Sequence, residues 1–488
     1  MGIQGMRSLF ASVAWLDFPP FRSEWRKIDG VRVSGGERML TEILDAAGIV
    51  TTRCLPQHVD DHDVILVSLQ SELDALAFRA AVMHCPDWRR RSATVIVGGF
   101  GLINPHAVAD LADVGYWGRA EDEIVALVDD ALAGRHDFDS PHILRFSDGI
   151  GPVTASQPTT LYDGHFVEEF VGCPMACKFC HYTHARKHLG GNGAFATRED
   201  GKETQQYLST MYGDHGTPSA VSAEVTWPLL IDWPEHLGWR PWVKAGLDGC
   251  SERIRWLFGK RITADQVQVG MQAVIDRLDA RGTESSGGKL SVYDIAFPAE
   301  SDSDREELHD IIRSLRPPRR SRFSLNLHVT PFKPAPWTPM TWEAFEMRDV
   351  RTSLGGRYVR QDGIWANYDR FIESPAAQIA HASVTRCNGS LDAMKMLNAI
   401  ALNGKIPGLK PGDEPRSVAE SLFGVEQVAF ALDDHPPEVT LPGDIARGKA
   451  HIDSLRRVAG KMRDAVERSG DAPSWRRGRR DLLGVTAV

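Results

Sequence analysis

Residues 171–182 read Val-Gly-Cys-Pro-Met-Ala-Cys-Lys-Phe-Cys-His-Tyr and crowd Cys173, Cys177 and Cys180 into eight residues. Thiolate sulfur is the usual ligand of iron–sulfur clusters, and several thiolates must converge on one small cube. Three cysteines leave one iron of a [4Fe–4S] cluster open, which is what a cluster needs to bind a substrate-like molecule. Pro174 and the short spacing let the loop wrap round the cluster, and Phe179 would shield it from water and so help to set its potential. The same residues also admit a zinc site completed by His181 or His184. Zinc sites, however, usually add a distant second pair of cysteines, and none is visible here.

The surrounding chain sets the bounds. Its 488 residues exceed one ordinary core, so two or three domains are expected. Hydrophobic residues at 42% and charged residues at 25% are a soluble, globular balance. A formal net charge of -9 gives no electrostatic case for nucleic acid, and the Arg476, Arg477, Arg479 and Arg480 tail reads as a solvated terminus. Seven cysteines do not make a disulfide framework. No run approaches the ~20 apolar residues of a membrane span. The N-terminus lacks the pattern of a secretory leader and reads as a first strand, so the cytoplasm is expected.

Upstream of the cysteines, short apolar runs alternate with amphipathic stretches. Strands are predicted over Leu9–Trp15, Asp63–Gln70, Thr94–Val97 and Val114–Trp117, and helices over Gly36–Ala47, Glu72–His84 and Glu121–Ala133. This alternation implies βαβ units and a doubly wound, Rossmann-like domain over residues 1–135. Residues 136–160, rich in Pro, Ser, Asp and Gly, read as a linker. A second α/β series over 161–340 has strands near 167–171, 219–225, 242–247, 290–297 and 322–330, with helices near 198–212, 251–258, 264–281 and 302–315. It fits a partial or full β/α barrel, whose active-site groups gather at the strand C-termini. Residues 341–488 read as a mixed, mostly helical region.

With Cys173, Cys177, Phe179 and Cys180 in this order, the sequence resembles the radical S-adenosylmethionine (SAM) superfamily. The resemblance implies that SAM chelates the open iron of a [4Fe–4S] cluster. An electron from an external donor of flavodoxin or ferredoxin type then cleaves it to methionine and a 5′-deoxyadenosyl radical. Further segments are similar to the family's in the expected order. Ser222-Ala223-Glu224 stands at the family's Gly-Gly-Glu turn, which makes Glu224 a SAM contact, and residues 246–253 (GLDGCSER) imply contacts from Ser251 and Arg253. Residues 295–300 (IAFPAE) resemble a Gly-Phe-Pro-Gly-Glu-Thr turn without its glycines, and 331–339 (PFKPAPWTP) resembles a barrel-closing loop. Ser251 also suits a helix N-cap, with Arg253 exposed. His184 and His188, at i and i+4, suit a metal pair or donors beside the cluster, and Tyr182 is placed near the adenine.

Residues 33–135 resemble the cobalamin-binding-type domain found upstream of the barrel in one radical SAM class. The carrying stretches are 63–71, 95–101 and 115–124, and they imply a corrinoid site at Ser68, Gly98, Gly99, Gly118 and Glu121. No Asp-x-His-x-x-Gly segment supplies a cobalt ligand. The class implies radical methylation of an unactivated carbon. The alternatives are a corrinoid-free radical SAM enzyme performing isomerisation, dehydrogenation or ring chemistry, and a non-catalytic iron–sulfur or zinc protein binding a partner. A methylthiotransferase would need three more cysteines before the cluster, where only Cys54 and Cys85 occur. Cys54, Cys85 and Cys387 read as buried small hydrophobes, and Cys250 lies beside the SAM-like segment.

Overall fold

The computed structural model describes residues 12–18, 35–82, 85–135, 138–160, 163, 170–171, 177–181, 184, 189–190, 222–225, 227–231, 242–280, 289–316, 324–346, 358–359, 365–369, 375–386 and 415–469. It is a mixed α/β chain with two parallel-based sheets.

The first sheet contains β1 (Val13–Leu16), β2 (Thr51–Cys54), β3 (Val64–Ser68), β4 (Thr94–Gly98), β5 (Val114–Tyr116) and β6 (Ile143–Arg145), in the order β2-β1-β3-β4-β5-β6. β1 to β5 are parallel and β6 runs antiparallel to β5. Val64–Val67 and Thr94–Val97 are buried without alternation, as parallel strands covered on both faces must be. Helices α1 (Gly35–Ala46) and α4 (Ile124–Leu132) send Leu44, Leu127 and Val128 onto the face carrying Val13, Leu66 and Ile96. Helices α2 (Glu72–Val82) and α3 (Pro86–Arg90) bring Leu76, Phe78 and Trp88 to the face carrying Ala14, Ile65 and Val97. The order reverses between β1 and β3, so the sheet has a switch point with its crevice at the strand C-termini.

Two parts of this sheet differ from the sequence reading. β2 (TTRC) has no apolar run, because an edge strand with one buried side chain needs none. Residues 136–160 are not a plain linker. Ile143–Arg145 pairs with β5, Leu144, Val153 and Ala155 join the first core, and Gly118 forms a bridge to Ser156. Their Pro- and Ser-rich composition reports the loops correctly but hides a three-residue strand held by backbone pairing.

The second sheet contains β9 (Ser222–Val225), β10 (Trp242–Gly246), β11 (Lys289–Ala296), β12 (Ser324–Pro331) and β14 (Trp365–Asp369), all parallel, with β13 (Tyr358–Val359) antiparallel at the edge. Helices α5 (Trp227–Ile231), α6 (Glu252–Leu257), α7 (Ala264–Ala280) and α8 (Asp302–Ser314) accompany it. Among the described residues it is an open sheet, and it continues past residue 340 through β14. The strand expected near 167–171 is β7 (Phe170–Val171), paired antiparallel with β8 (Leu189–Gly190) outside both large sheets. The helix expected at 198–212 lies outside the described residues.

Helices α9 (Pro375–Arg386), α10 (Pro415–Phe423), α11 (Val425–Leu432) and α12 (Lys449–Ser469) follow. Ile379, Ala380, Val384, Ala419 and Val428 share a core with the first sheet, and Asn104 Nδ2 donates to the Val384 carbonyl at 2.7 Å. Trp337, just beyond β12, closes the seam. Its ring lies 3.8 Å from that of Trp117, under the Arg447 guanidinium, and its backbone N–H donates to Asp444 at 2.8 Å. No helix of the described residues is long and apolar enough to cross a membrane.

Candidate cofactor site

The cysteine loop is built as a turn fastened to α6. The Cys180 N–H donates to the Cys177 carbonyl at 3.2 Å, and the Lys178 N–H donates to the Phe258 carbonyl at 2.8 Å. Cys177 is buried and Cys180 half-buried, and both are free of disulfides. Cys173, Tyr182 and His188 lie outside the described residues. Among the described residues no three candidate metal ligands converge, Cys173 not being one of them. Phe179 turns its ring edge to Phe258 at 5.1 Å, and Phe258 packs with Phe297, Phe332, Met340 and Met462. Such an apolar backing excludes water from one side of the thiols. His184 Nε2 sits 3.1 Å from the Cys177 carbonyl. Burial keeps its pKa below the usual histidine range against the pull of that carbonyl, with Arg447 and Lys178 also pushing it down.

At the C-terminal edge of the second sheet the SAM-like segments bind one another. Asp248, in the left-handed region at φ 51°, pairs with Lys260, whose Nζ also donates to the Gly246 carbonyl at 2.6 Å. Ser251 caps α6, accepting from the Ile254 N–H at 3.2 Å, and its hydroxyl donates to Asp304 Oδ1 at 2.5 Å. Arg253 is not exposed. Its Nε meets Asp304 Oδ1 at 3.1 Å, and a terminal nitrogen reaches Asp304 Oδ2 and the Ala299 carbonyl. Burial would raise the Asp304 carboxyl, but Arg253 and Ser251 hold it below its ordinary value. Asp304 was not foreseen as part of this edge, although Ser301-x-x-Asp304 carries the sequence signature of a capping box, which it forms. Glu224 stands in β9 beside Lys244 in register, with its side chain outside the described residues. Cys250 is buried, and burial with Glu300, Asp294 and Asp304 nearby pushes its thiol well above the usual range, which keeps it protonated.

Topology brings Ser68, Gly98, Gly99 and Gly118 to the C-terminal edge of the first sheet, where Ser68 pairs with Gly98. Gly99 has φ 97° and Gly118 φ 114°. A Cβ at Gly99 would overlap the Leu69 carbonyl, and one at Gly118 the Ser156 backbone. The packing of neighbouring chain therefore demands these two glycines. Gly98 is different, since an added Cβ meets Tyr116 at ordinary contact distance, its carbonyl at 3.5 Å and its Cβ at 3.9 Å. Glu121 pairs with Arg119 through Oε1, while its buried Oε2 has no hydrogen-bond partner among the described residues. Phe100, next to the glycine turn, packs edge-on against His181 at 5.2 Å. The cysteine loop thus touches both sheets' edges.

No family model matches the chain, and no curated protein matches it. Among solved structures it is similar to the cobalamin-dependent S-adenosylmethionine radical enzyme OxsB. With aqua-cobalamin and S-adenosylmethionine bound, that enzyme aligns at TM-score 0.43 and 11% identity over 63% of this chain and 53% of its own. Its apo, selenomethionine-labelled form aligns at TM-score 0.46 and 11% identity over 96% and 81%. The chain spans about half the length of the ligand-bound form. A likeness of this degree carries no argument about activity.

Proposed function

We propose that the chain is a radical SAM enzyme in which Cys173, Cys177 and Cys180 hold a [4Fe–4S] cluster. The observation that carries this reading is the seat of the cysteine loop, with Phe179 on the second sheet's aromatic cluster and His181 on Phe100 of the first. Two thiols outside any disulfide on one turn, backed by apolar rings, fit the soft ligands and restricted water that such a cluster needs. When bound, the cluster supplies the electron that cleaves SAM, itself received from a flavodoxin- or ferredoxin-type donor.

The chain's own residues orient and exclude water. Arg253, Ser251 and Asp304 fix the α6 turn against the turn after β11, and Glu224 is assigned to the SAM amino group by resemblance. The same reading puts a corrinoid, as methyl source, over Ser68, Gly98 and Glu121, where the unpartnered Oε2 of Glu121 offers an acceptor. The backbone demand for Gly99 and Gly118 equally favours a second reading, an enzyme without a corrinoid.

Anaerobic purification tests both. Iron and sulfide in cluster amounts, with 5′-deoxyadenosine formed from SAM and dithionite, are expected; stoichiometric zinc and no such product overturns the first reading. Hydroxocobalamin titrated into wild type and Gly98→Val should bind the first and not the second. Binding to neither selects the corrinoid-free reading.

A further inference from the structure

The cysteine loop is not sealed inside the chain: Lys178, Phe179, Cys180 and His181 are all half-buried. Two elements hold it. The first is the end of α6, where Phe258 accepts from the Lys178 N–H. Arg261, three residues on, stands close enough to repel the Lys178 ammonium, which burial already disfavours. The second is α12, which runs beside the loop. Just before that helix, Arg447 donates to the His184 carbonyl at 3.2 Å and meets His451 Nε2 at 3.1 Å. Further along it, Val458, Met462 and Val466 join the aromatic cluster that backs Phe179.

Most cations of α12 are engaged by neighbours. Lys449 and Arg456 pair with Asp453, Arg463 meets Glu343 and Asp434, and Arg468 donates to the Asp464 carbonyl. Arg457, Lys461 and Arg261 are different. All three are exposed, and among the described residues none makes a hydrogen bond or an ion pair. Arg457 and Lys461, at i and i+4, share one face of the helix, next to Val458 and Met462. The exposed acids of α12, Asp464 and Glu467, follow toward its C-terminus. On a chain of net charge -9, unpaired cations on the two elements that hold the loop make a local field against the overall sign. Such a field speeds and orients the approach of an acidic protein.

We propose that Arg261, Arg457 and Lys461 form the docking surface for an acidic one-electron carrier protein, which meets the chain beside Phe179. This rests on the radical SAM reading, which gives the loop its need for an electron. The carrier is oxidised by one electron and the cluster, when bound, is reduced by it. No covalent bond forms or breaks in that step. Cations drawn from two elements around a half-buried aromatic ring suit a broad acidic face rather than one small anion.

Binding of an acidic flavodoxin to the full chain, followed by surface plasmon resonance, tests it. Arg457→Glu with Lys461→Glu should weaken binding about tenfold or more at low salt, and the difference should fade at about 0.5 M salt. Arg89→Glu with Arg90→Glu makes the same charge change on α3, at the N-terminal end of β4, and should leave binding within about twofold. Equal weakening by the two pairs, or none by the α12 pair, overturns the proposal. A second measurement needs no variant. Carbodiimide coupling of flavodoxin carboxylates to the wild-type chain, read by peptide mass spectrometry, should join them to Lys461. Coupling at Lys449 or Lys289 without Lys461 overturns the proposal. Binding needs no cluster, whereas iron content and 5′-deoxyadenosine formed by wild type with dithionite decide the radical reading, so the two failures are distinct.

Discussion

The C-terminal edges of the two sheets are shaped by different means. At the second sheet, side chains do it: Ser251, Arg253 and Asp304 form one network, and Asp248 with Lys260 another. At the first, backbone contact does it: Gly99 and Gly118 let neighbouring chain pass where any Cβ would collide. A polar network can lose one member and keep its path, whereas a backbone crossing has no slack. The two edges should therefore fail differently.

The largest effect is expected where they meet. Replacing Cys177 and Cys180 by Ala should abolish iron content and 5′-deoxyadenosine formation together while leaving the unfolding midpoint of the apo chain within a few degrees. Cluster retention in that variant would falsify the ligand assignment. Next comes the first edge. Gly99→Val forces a β-branched residue to positive φ against the Leu69 carbonyl and should cost about 4 kcal/mol in urea unfolding. Gly98→Ala, a few ångströms away, should cost under about 1 kcal/mol. Equal losses at the two glycines would erase the distinction.

At the second edge, Arg253→Met leaves the Asp304 carboxylate buried without its cation and should cost about 3 kcal/mol. If Arg253 also meets SAM, calorimetry will show weaker SAM binding by the folded variant than by Asp304→Asn. Equal binding by both confines Arg253 to the fold.

The last difference concerns the seam and is read only against pH. Burial pushes the Asp444 carboxyl up to about 6, against its bonds from Trp337 and Thr341. A folded pKa above the unfolded one means that the folded chain binds more protons between about pH 4 and 6, so this group's stabilisation is lost as pH rises through that window. Asp444→Asn cannot titrate. The stability difference between wild type and variant should thus shift by about 2 kcal/mol across the window in paired unfolding curves, in favour of the variant at higher pH.

Much of this was legible in the chain. The apolar runs at 64–67 and 94–97 fix buried parallel strands, because no half-exposed strand tolerates them. The glycines at 98 and 99 mark a turn, but the sequence is silent on whether ligand or backbone demands them. β2 and β6 escaped notice, since short edge strands are stabilised by a neighbour's hydrogen bonds more than by their own pattern.

Spacing alone marked the cysteine motif, because the ligands of the proposed cluster would be local in the chain. The partners of Arg253, the docking of Phe179 and His181, and the run of α12 beside the cysteine loop belong to the tertiary structure. Those contacts join residues tens to hundreds of positions apart. No periodicity records them, because each depends on how two sheets and the C-terminal helices pack.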